Sequence, residues 1–324
     1  MQFDTKVGTD IDEAAFWLKK GEVVGIPTET VYGLAANGLH ADAVAKIYDI
    51  KNRPSFNPLI LHVANENALQ DLVVNNKIAQ DFMHAFMPGP LTLVLPRKAI
   101  VPDITTAGLD TVGVRIPNHE LTQSLLQKLD FPLAAPSANP SGYVSPTKAE
   151  HVAENLSGKI PYVLDGGACI VGLEYTIIGF ENGQPVCYRH GGLAIEVLEK
   201  LIDQQIPLHI QADVLHSPGQ MKSHYATNTP LFIIQNEEDI KQWKGKHVGC
   251  IVYDQFMSEI PHENQMLLSP DSDLHTAAKN LFQAMREMDA RGFEIILAQK
   301  VQNTGIGYAI NDRLQRAQHH LKNV

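Results

Sequence analysis

Over the first two hundred residues, short apolar runs, many of them apolar throughout, alternate with segments whose apolar residues recur at helical spacing. A strand that is apolar on both faces must be covered on both, which confines this region to an α/β fold with helices on either side of a sheet. Glu22–Ile26, Leu59–Val63, Leu91–Leu95, Val112–Ile116, Phe131–Ala135, Pro161–Leu164 and Tyr175–Phe180 read as strands. Helices are expected over Ala41–Ile50, where Val44, Ile47 and Tyr48 share a face, and over His119–Leu129, Ala149–Leu156 and Ala194–Asp203. From about Gln205 to Pro230 the periodicity stops, as in a long functional or mobile linker. A second alternation follows: strands at Leu231–Ile234, Val248–Tyr253 and Phe293–Ala298, and helices at Glu237–Trp243, Ser272–Asp289 and Ile310–Leu321. This is the pattern of a small Rossmann-like α/β unit. The expected layout is a first α/β domain over 1–206, a linker or lid over 207–229 and a smaller α/β domain over 230–324.

Composition narrows the function. The 324 residues suit roughly two domains at about 150 residues each. With 44% apolar and 19% charged residues, the chain is neither intrinsically disordered nor a coiled coil. A net charge of −10 argues against a polycationic nucleic-acid binder but leaves room for a local cationic pocket. Cys169, Cys187 and Cys250 are too scattered for a disulfide scaffold or a zinc site. The first residues lack a signal-peptide pattern, and the apolar runs fall short of the roughly 20 residues that span a membrane. A reduced, cytoplasmic setting is the expectation.

The common nucleotide-binding and hydrolase signatures are missing, so any nucleotide must be held another way. Pro27-Thr28-Glu29-Thr30-Val31-Tyr32-Gly33-Leu34 follows the first of these strands, at a strand end where open α/β sheets bind ligands. A turn whose threonines satisfy backbone groups accounts for it equally well. Lys51-Asn52-Arg53-Pro54-Ser55-Phe56-Asn57-Pro58 leads into the strand bearing His62. Pro54 and Pro58 force their predecessors out of helical geometry and leave a rigid loop with two cations and an amide, suited to phosphate. The plainer account is that Lys51 and Arg53 complement a helix dipole. A lone histidine such as His62 in a strand is more often a hydrogen-bonded core residue than a ligand. Arg115 sits inside the apolar strand of Thr111-Val112-Gly113-Val114-Arg115 and needs an anionic partner, which a salt bridge to Glu29 would supply. Ala134-Ala135-Pro136-Ser137-Ala138-Asn139-Pro140-Ser141-Gly142, with Ser145 beyond, is a hydroxyl-rich loop; its serines suit phosphate hydrogen bonding better than nucleophilic attack.

Taken together, P-T-E-T-V-Y-G-L, K-x-R-P-x-x-N-P-L-x-x-H, T-V-G-V-R-x-P, A-P-S-A-N-x-S-G and the late R-x-G-G resemble the threonylcarbamoyl-adenylate synthases, the YrdC-like proteins, in their two-domain form. The resemblance resumes at Ser217-Pro218-Gly219 with His224-Tyr225, and again from Gly305 through Asp312-Arg313 to Ala317. It implies a twisted, open, mixed sheet flanked by helices in the first domain. It also implies a threonine pocket of Thr30, His62, Arg115, Ala135 and position 175. ATP contacts would come from Arg53, Asn57, Thr111, Ser137, Asn139, Ser145, Arg189 and Tyr225, with Lys51 and Arg53 as the catalytic cations. Where the family has E-S-T, this chain has Glu174-Tyr175-Thr176, and the Tyr175 ring is expected to turn away from the pocket.

The reaction implied joins L-threonine, bicarbonate or carbon dioxide, and ATP into threonylcarbamoyl-adenylate and pyrophosphate, for modification of an adenosine in tRNA. It needs no covalent enzyme intermediate, and a magnesium ion would accompany ATP. The expected partners beyond the substrates are tRNA or the complex that takes up the product. Two other readings compete: an RNA-binding protein using the same cationic cavity, and a carbamoyl-transferring relative with another acceptor.

Overall fold

The computed structural model describes residues 2–209 and 224–319. In the first domain the strands are β1 Lys6–Gly8, β2 Val24–Ile26, β3 Gly33–Asn37, β4 Ile60–His62, β5 Leu91–Pro96, β6 Thr111–Arg115, β7 Leu133–Ala134, β8 Tyr162–Leu164, β9 Thr176–Glu181 and β10 Gln184–Arg189. They form one mixed sheet in the order β1-β8-β2-β3-β7-β4-β6-β5-β9-β10. Helices cover it, as the wholly apolar strands require, and its core includes Leu34, Val44, Ile47, Leu61, Phe82, Leu93 and Val114. The expected open mixed sheet is present.

Local chemistry explains the main boundaries. Helix Ala41–Lys51 is capped at its start by the His40 side chain and ends where Asn52 turns left-handed at φ 49°. Arg53 therefore leaves the helix just before Pro54, and its N–H returns to the Tyr48 carbonyl at 2.9 Å. The in-register pairing of β4 with β6 sets His62 beside Arg115, so both side chains reach the same end of the sheet.

Several elements escaped the sequence reading. Strand β3 is built from small residues, Gly-Leu-Ala-Ala-Asn, without the β-branched bias that marks a strand. Strand β10 lies outside the expected strands, although Asn182-Gly183 before it is a hairpin signal. Helices Glu66–Gln70 and Lys77–Phe86 were also not anticipated. Glu237–Trp243 is a 3₁₀ helix, its start held by a capping box between Asn236 and Asp239. The last helix runs Gly307–Ala317, one turn earlier than expected.

In the second domain, β11 Leu231–Ile234, β12 Val248–Val252, β13 Gln265–Leu267 and β14 Ile295–Gln299 form a parallel sheet in the order β11-β14-β12-β13. Helix Leu274–Ala290 packs on it and also against the first domain, since Val31, Val144 and Leu173 share a core with Leu281, Phe282 and Met285. The linker motif Ser217-Pro218-Gly219 lies outside the described residues. Among the described residues, no helix is long and apolar enough to cross a membrane.

The two domains meet closely at Gly172. A Cβ there would stand 2.4 Å from the Lys279 Cα and 2.5 Å from its carbonyl oxygen, and the residue has φ +75°. Gly172→Ala is therefore expected to lower stability by about 1–3 kcal/mol, read as a lower denaturation midpoint. A midpoint equal to wild type would mean that the interface is looser than this packing implies.

Candidate functional site

The chemistry-bearing loops converge on one cavity of the first domain, which His224 and Tyr225 at the linker end also line. Counted with the part open to solvent it measures about 460 Å³, and its wall includes Thr28, Thr30, Arg53, His62, Arg115, Ala135, Ser137, Glu174, Tyr175, Arg189, His224 and Tyr225. Nine of the sequence candidates are therefore brought together there: Thr30, Arg53, His62, Arg115, Ala135, Ser137, Tyr175, Arg189 and Tyr225.

One side is built by the loop after β2 and the end of β6. Arg115 is fully buried and paired with the equally buried Glu29, so the salt bridge raised by the sequence is present. The same guanidinium donates to the Thr30 hydroxyl at 3.2 Å. Thr30 in turn lies 2.8 Å from the Thr28 hydroxyl, which donates to the Val31 carbonyl. Thr28 spends its proton on that carbonyl, so Thr30 donates to Thr28 and accepts from Arg115. His62 is buried beside Arg115; burial, reinforced by that cation, pushes its pKa down to about 3. It is a neutral imidazole at physiological pH.

The same wall carries two further cations, Arg53 and Arg189. Arg53 donates to the Asn57 carbonyl at 3.0 Å, the Asn57 side-chain oxygen at 2.6 Å and the Pro58 carbonyl at 2.8 Å. Burial lowers its pKa to about 10, so it stays a cation. Arg189, at the end of β10, donates to the Tyr175 carbonyl at 3.0 Å. The close approach of that strand end depends on Gly191, where a Cβ would meet the Glu174 carbonyl oxygen and the Tyr175 carbonyl carbon at 2.3 Å. This gives the late R-x-G-G motif a physical reason.

Five candidates stand outside the cavity wall. Lys51 was expected beside Arg53 on phosphate, but its buried ammonium donates to the carbonyls of Ser137 and Asn139. A buried ammonium takes the oxygens within reach, and these belong to the loop it braces. Burial first, and then Arg53, drive its pKa well below the usual lysine range. Asn57 holds Arg53, and Asn139 donates to the Pro140 and Tyr143 carbonyls at 3.0 and 2.8 Å. The Ser145 hydroxyl donates to Glu174 at 2.6 Å. Thr111 begins β6, opposite Pro96.

Tyr175 corrects the expectation that its ring turns away. The ring lines the cavity between two guanidiniums, 4.5 Å from that of Arg115 and 4.7 Å from that of Arg189. The attraction of both cations for its π-face holds it there. Tyr225 enters from the linker end with a left-handed backbone, φ 65°, and stacks on Phe282 of the second domain at 5.5 Å. Its hydroxyl and His224 Nδ1 are buried with no protein partner among the described residues.

The sequence reading assigned no role to Glu174, His224 or Arg313. Glu174 and His224 line the cavity. Arg313 reaches it from the second domain, donating to Glu174 at 2.9 Å. Each lies within a motif of the sequence, and the Glu174–Arg313 contact crosses the domain boundary, where sequence spacing gives no signal. A protein of net charge −10 thus gathers three guanidiniums on one cavity wall, an arrangement suited to an anion.

His62 yields a pH test. Its folded pKa of about 3 lies below the unfolded value of about 6.5, so the unfolded chain binds the extra proton between them. Its contribution is intact above about pH 6.5 and is lost as pH falls toward 3. His62→Gln is expected to reduce the slope of stability against pH in that window by up to about 1.4 kcal/mol per pH unit, measured by denaturant unfolding. An unchanged slope would mean that His62 is protonated in the folded protein.

Comparison with known proteins identifies the family. The family model described as "Telomere recombination" matches residues 17–191, and that of the "Threonylcarbamoyl-AMP synthase, C-terminal domain" matches 193–318. A threonylcarbamoyl-AMP synthase of Pyrococcus abyssi is 40% identical, covering 94% of this chain and 92% of its own length. One from Bacillus subtilis is also 40% identical, over 95% and 92%. The crystal structure of P. abyssi Sua5 complexed with L-threonine superposes with a TM-score of 0.88 at 37% identity, covering 97% of each chain. Both domains are matched, and the chain belongs to the threonylcarbamoyl-AMP synthase family in its two-domain form.

Proposed function

We infer that this protein is a threonylcarbamoyl-AMP synthase that condenses L-threonine, bicarbonate or carbon dioxide, and ATP into L-threonylcarbamoyl-adenylate and pyrophosphate. The observation that carries this reading is the single cavity wall that brings Thr30, His62 and Arg115 together with Arg53, Ser137 and Arg189. The first group suits an amino acid: a cation for its carboxylate, with a hydroxyl and a neutral imidazole for its polar atoms. The P. abyssi structure with L-threonine supports threonine as that amino acid. The second group suits a nucleotide's phosphates, which enter with their magnesium ion as substrate.

In the proposed chemistry the threonine amine adds to the carbon of carbon dioxide and loses a proton, giving a carbamate. A carbamate oxygen attacks the α-phosphorus, and the bond to the departing pyrophosphate breaks. This chain's residues align the two reactants and balance charge on the phosphoryl group. Enclosure suits the chemistry, since carbamate and mixed anhydride both react with water. We assign Lys51 to bracing the Ser137–Asn139 loop, from which Ser137 meets the phosphates. The product is expected to be consumed in the cytoplasm by a transferase that modifies tRNA adenosine. RNA as a direct ligand is less well supported, because the cations lie inside a cavity rather than along a surface.

Pyrophosphate release is expected to require ATP, L-threonine and bicarbonate together. ATP turnover indifferent to threonine would overturn the reading in favour of another carbamoyl acceptor. Arg53→Ala should lower kcat/KM for ATP by about ten- to hundredfold, the worth of a charged hydrogen bond to phosphate. Full activity with lowered thermal stability would reduce Arg53 to a brace for its loop.

A further inference from the structure

Tyr225 lines the cavity, and the chain is tied on either side of it. The His224 N–H donates to the Arg316 carbonyl at 3.3 Å, and the Ala226 N–H to the Gly142 carbonyl at 2.8 Å. Tyr143 and Ala226 form a short parallel bridge at that point. Three residues beyond Tyr225 the chain meets a single carboxylate. Asp289, in the last turn of helix Leu274–Ala290, accepts through Oδ1 from the Thr229 N–H at 2.7 Å. Its Oδ2 accepts from the Asn228 N–H at 3.1 Å and from the Asn228 side-chain amide at 2.9 Å. The same oxygen takes the Tyr143 hydroxyl at 2.9 Å. One half-buried side chain of the second domain thus holds the end of the linker together with the first-domain loop on which the linker lies.

Hydrogen bonds to an ionised carboxylate are roughly twice as strong as those between neutral groups. Asp289 stays ionised: burial opposes its charge, but the donors from Thr229, Asn228 and Tyr143 bring its pKa below the usual aspartate value. Tyr225 needs such a constraint, because its φ of 65° is unfavourable for a residue with a side chain and an untied chain would relax it. Phe282 and the Arg313 guanidinium, 5.5 and 5.3 Å from its ring centre, receive the ring only where the backbone delivers it. Arg286, one helical turn before Asp289, donates to the carbonyls of Val144 and Ser145 and so holds the other end of the same loop.

We propose that Asp289 is a positioning residue that acts through Tyr225. By fixing Asn228, Thr229 and Tyr143, it sets where the linker end, and with it the Tyr225 ring, meets the cavity. Asp289 itself stands outside the cavity wall. The inference rests on the proposed function only in naming ATP as the ligand that Tyr225 meets.

The test uses the full-length protein and two readouts. The first needs no ligand: hydrogen exchange resolved to single amides. Asp289→Ala is expected to speed exchange at Ala226 by about tenfold, although that amide bonds to Gly142 and not to Asp289, while residues 277–285 of the helix exchange as in wild type. The second is calorimetric ATP binding, alongside pyrophosphate release at saturating threonine and bicarbonate. Asp289→Ala is expected to raise Kd and KM for ATP by about fivefold, with kcat changed less. In a Tyr225→Ala background the same substitution is expected to shift Kd by less than about twofold, a coupling that general loosening would not produce. Asp289→Asn keeps the size and loses the charge; it is expected to move both readouts the same way by a smaller step, and it serves if the alanine variant does not fold. Wild-type exchange at Ala226 would overturn the proposal. So would an ATP affinity that stays at wild type, or one that falls as far in the Tyr225→Ala background as without it. A wild-type protein with no threonine-dependent pyrophosphate release would sink the proposed function, while the exchange readout still decides Asp289.

Discussion

Guanidinium groups crowded on an enclosed wall repel one another and lose their hydration, so the cavity depends on the two carboxylates buried with them. Glu29 pairs with Arg115, and Glu174 with Arg313. Breaking a buried pair by removing one partner costs about 3–5 kcal/mol, because the remaining charge has nowhere to go. Each pair is therefore a fixed point from which the rest is hung. Arg115 positions Thr30 and faces the Tyr175 ring, and Glu174 anchors the segment whose carbonyl receives Arg189. The carboxylates offset only part of the positive charge, and the remainder is what an anionic substrate would meet.

Neutral groups complete the arrangement. Tyr175 separates Arg115 from Arg189 with a π-face that attracts both, a low-charge spacer where another cation or a carboxylate would upset the balance. Carbonyl oxygens do the same for the cations behind the wall: those of Asn57 and Pro58 hold Arg53, and those of Ser137 and Asn139 hold Lys51. The loops between strands are thus shaped by the side chains they hold, and the two prolines flanking Arg53 and Asn57 stiffen that frame.

The second domain is part of this structure rather than an appendage to it. Phe282 carries the Tyr225 ring, Arg286 fixes the Ser145 backbone, and Arg313 reaches Glu174. These contacts rise from two helices on one side of a parallel sheet. Tyr225 adopts a left-handed backbone that a non-glycine residue holds only when its surroundings impose it. Here the stacked phenyl ring and the arginine supply that constraint.

Much of the fold was legible because burial imposes a period on the sequence: mostly apolar runs marked β4, β5 and β6, and helical spacing marked Ala41–Lys51 and Leu274–Ala290. The motifs likewise named most of the cavity wall, since strand-end loops in an α/β sheet gather at one edge. Strand β3 was not legible, because its small residues reflect the closeness of its neighbours rather than any local preference. Nor was the direction of a side chain: Lys51 and Arg53 are two residues apart, yet one faces carbonyls behind the loop and the other lines the cavity. Sequence alone determined which charges this protein must accommodate. Tertiary structure decided which of them pair, because the partners of Glu29 and Glu174 lie 86 and 139 residues away, and attraction between buried charges depends on distance through space.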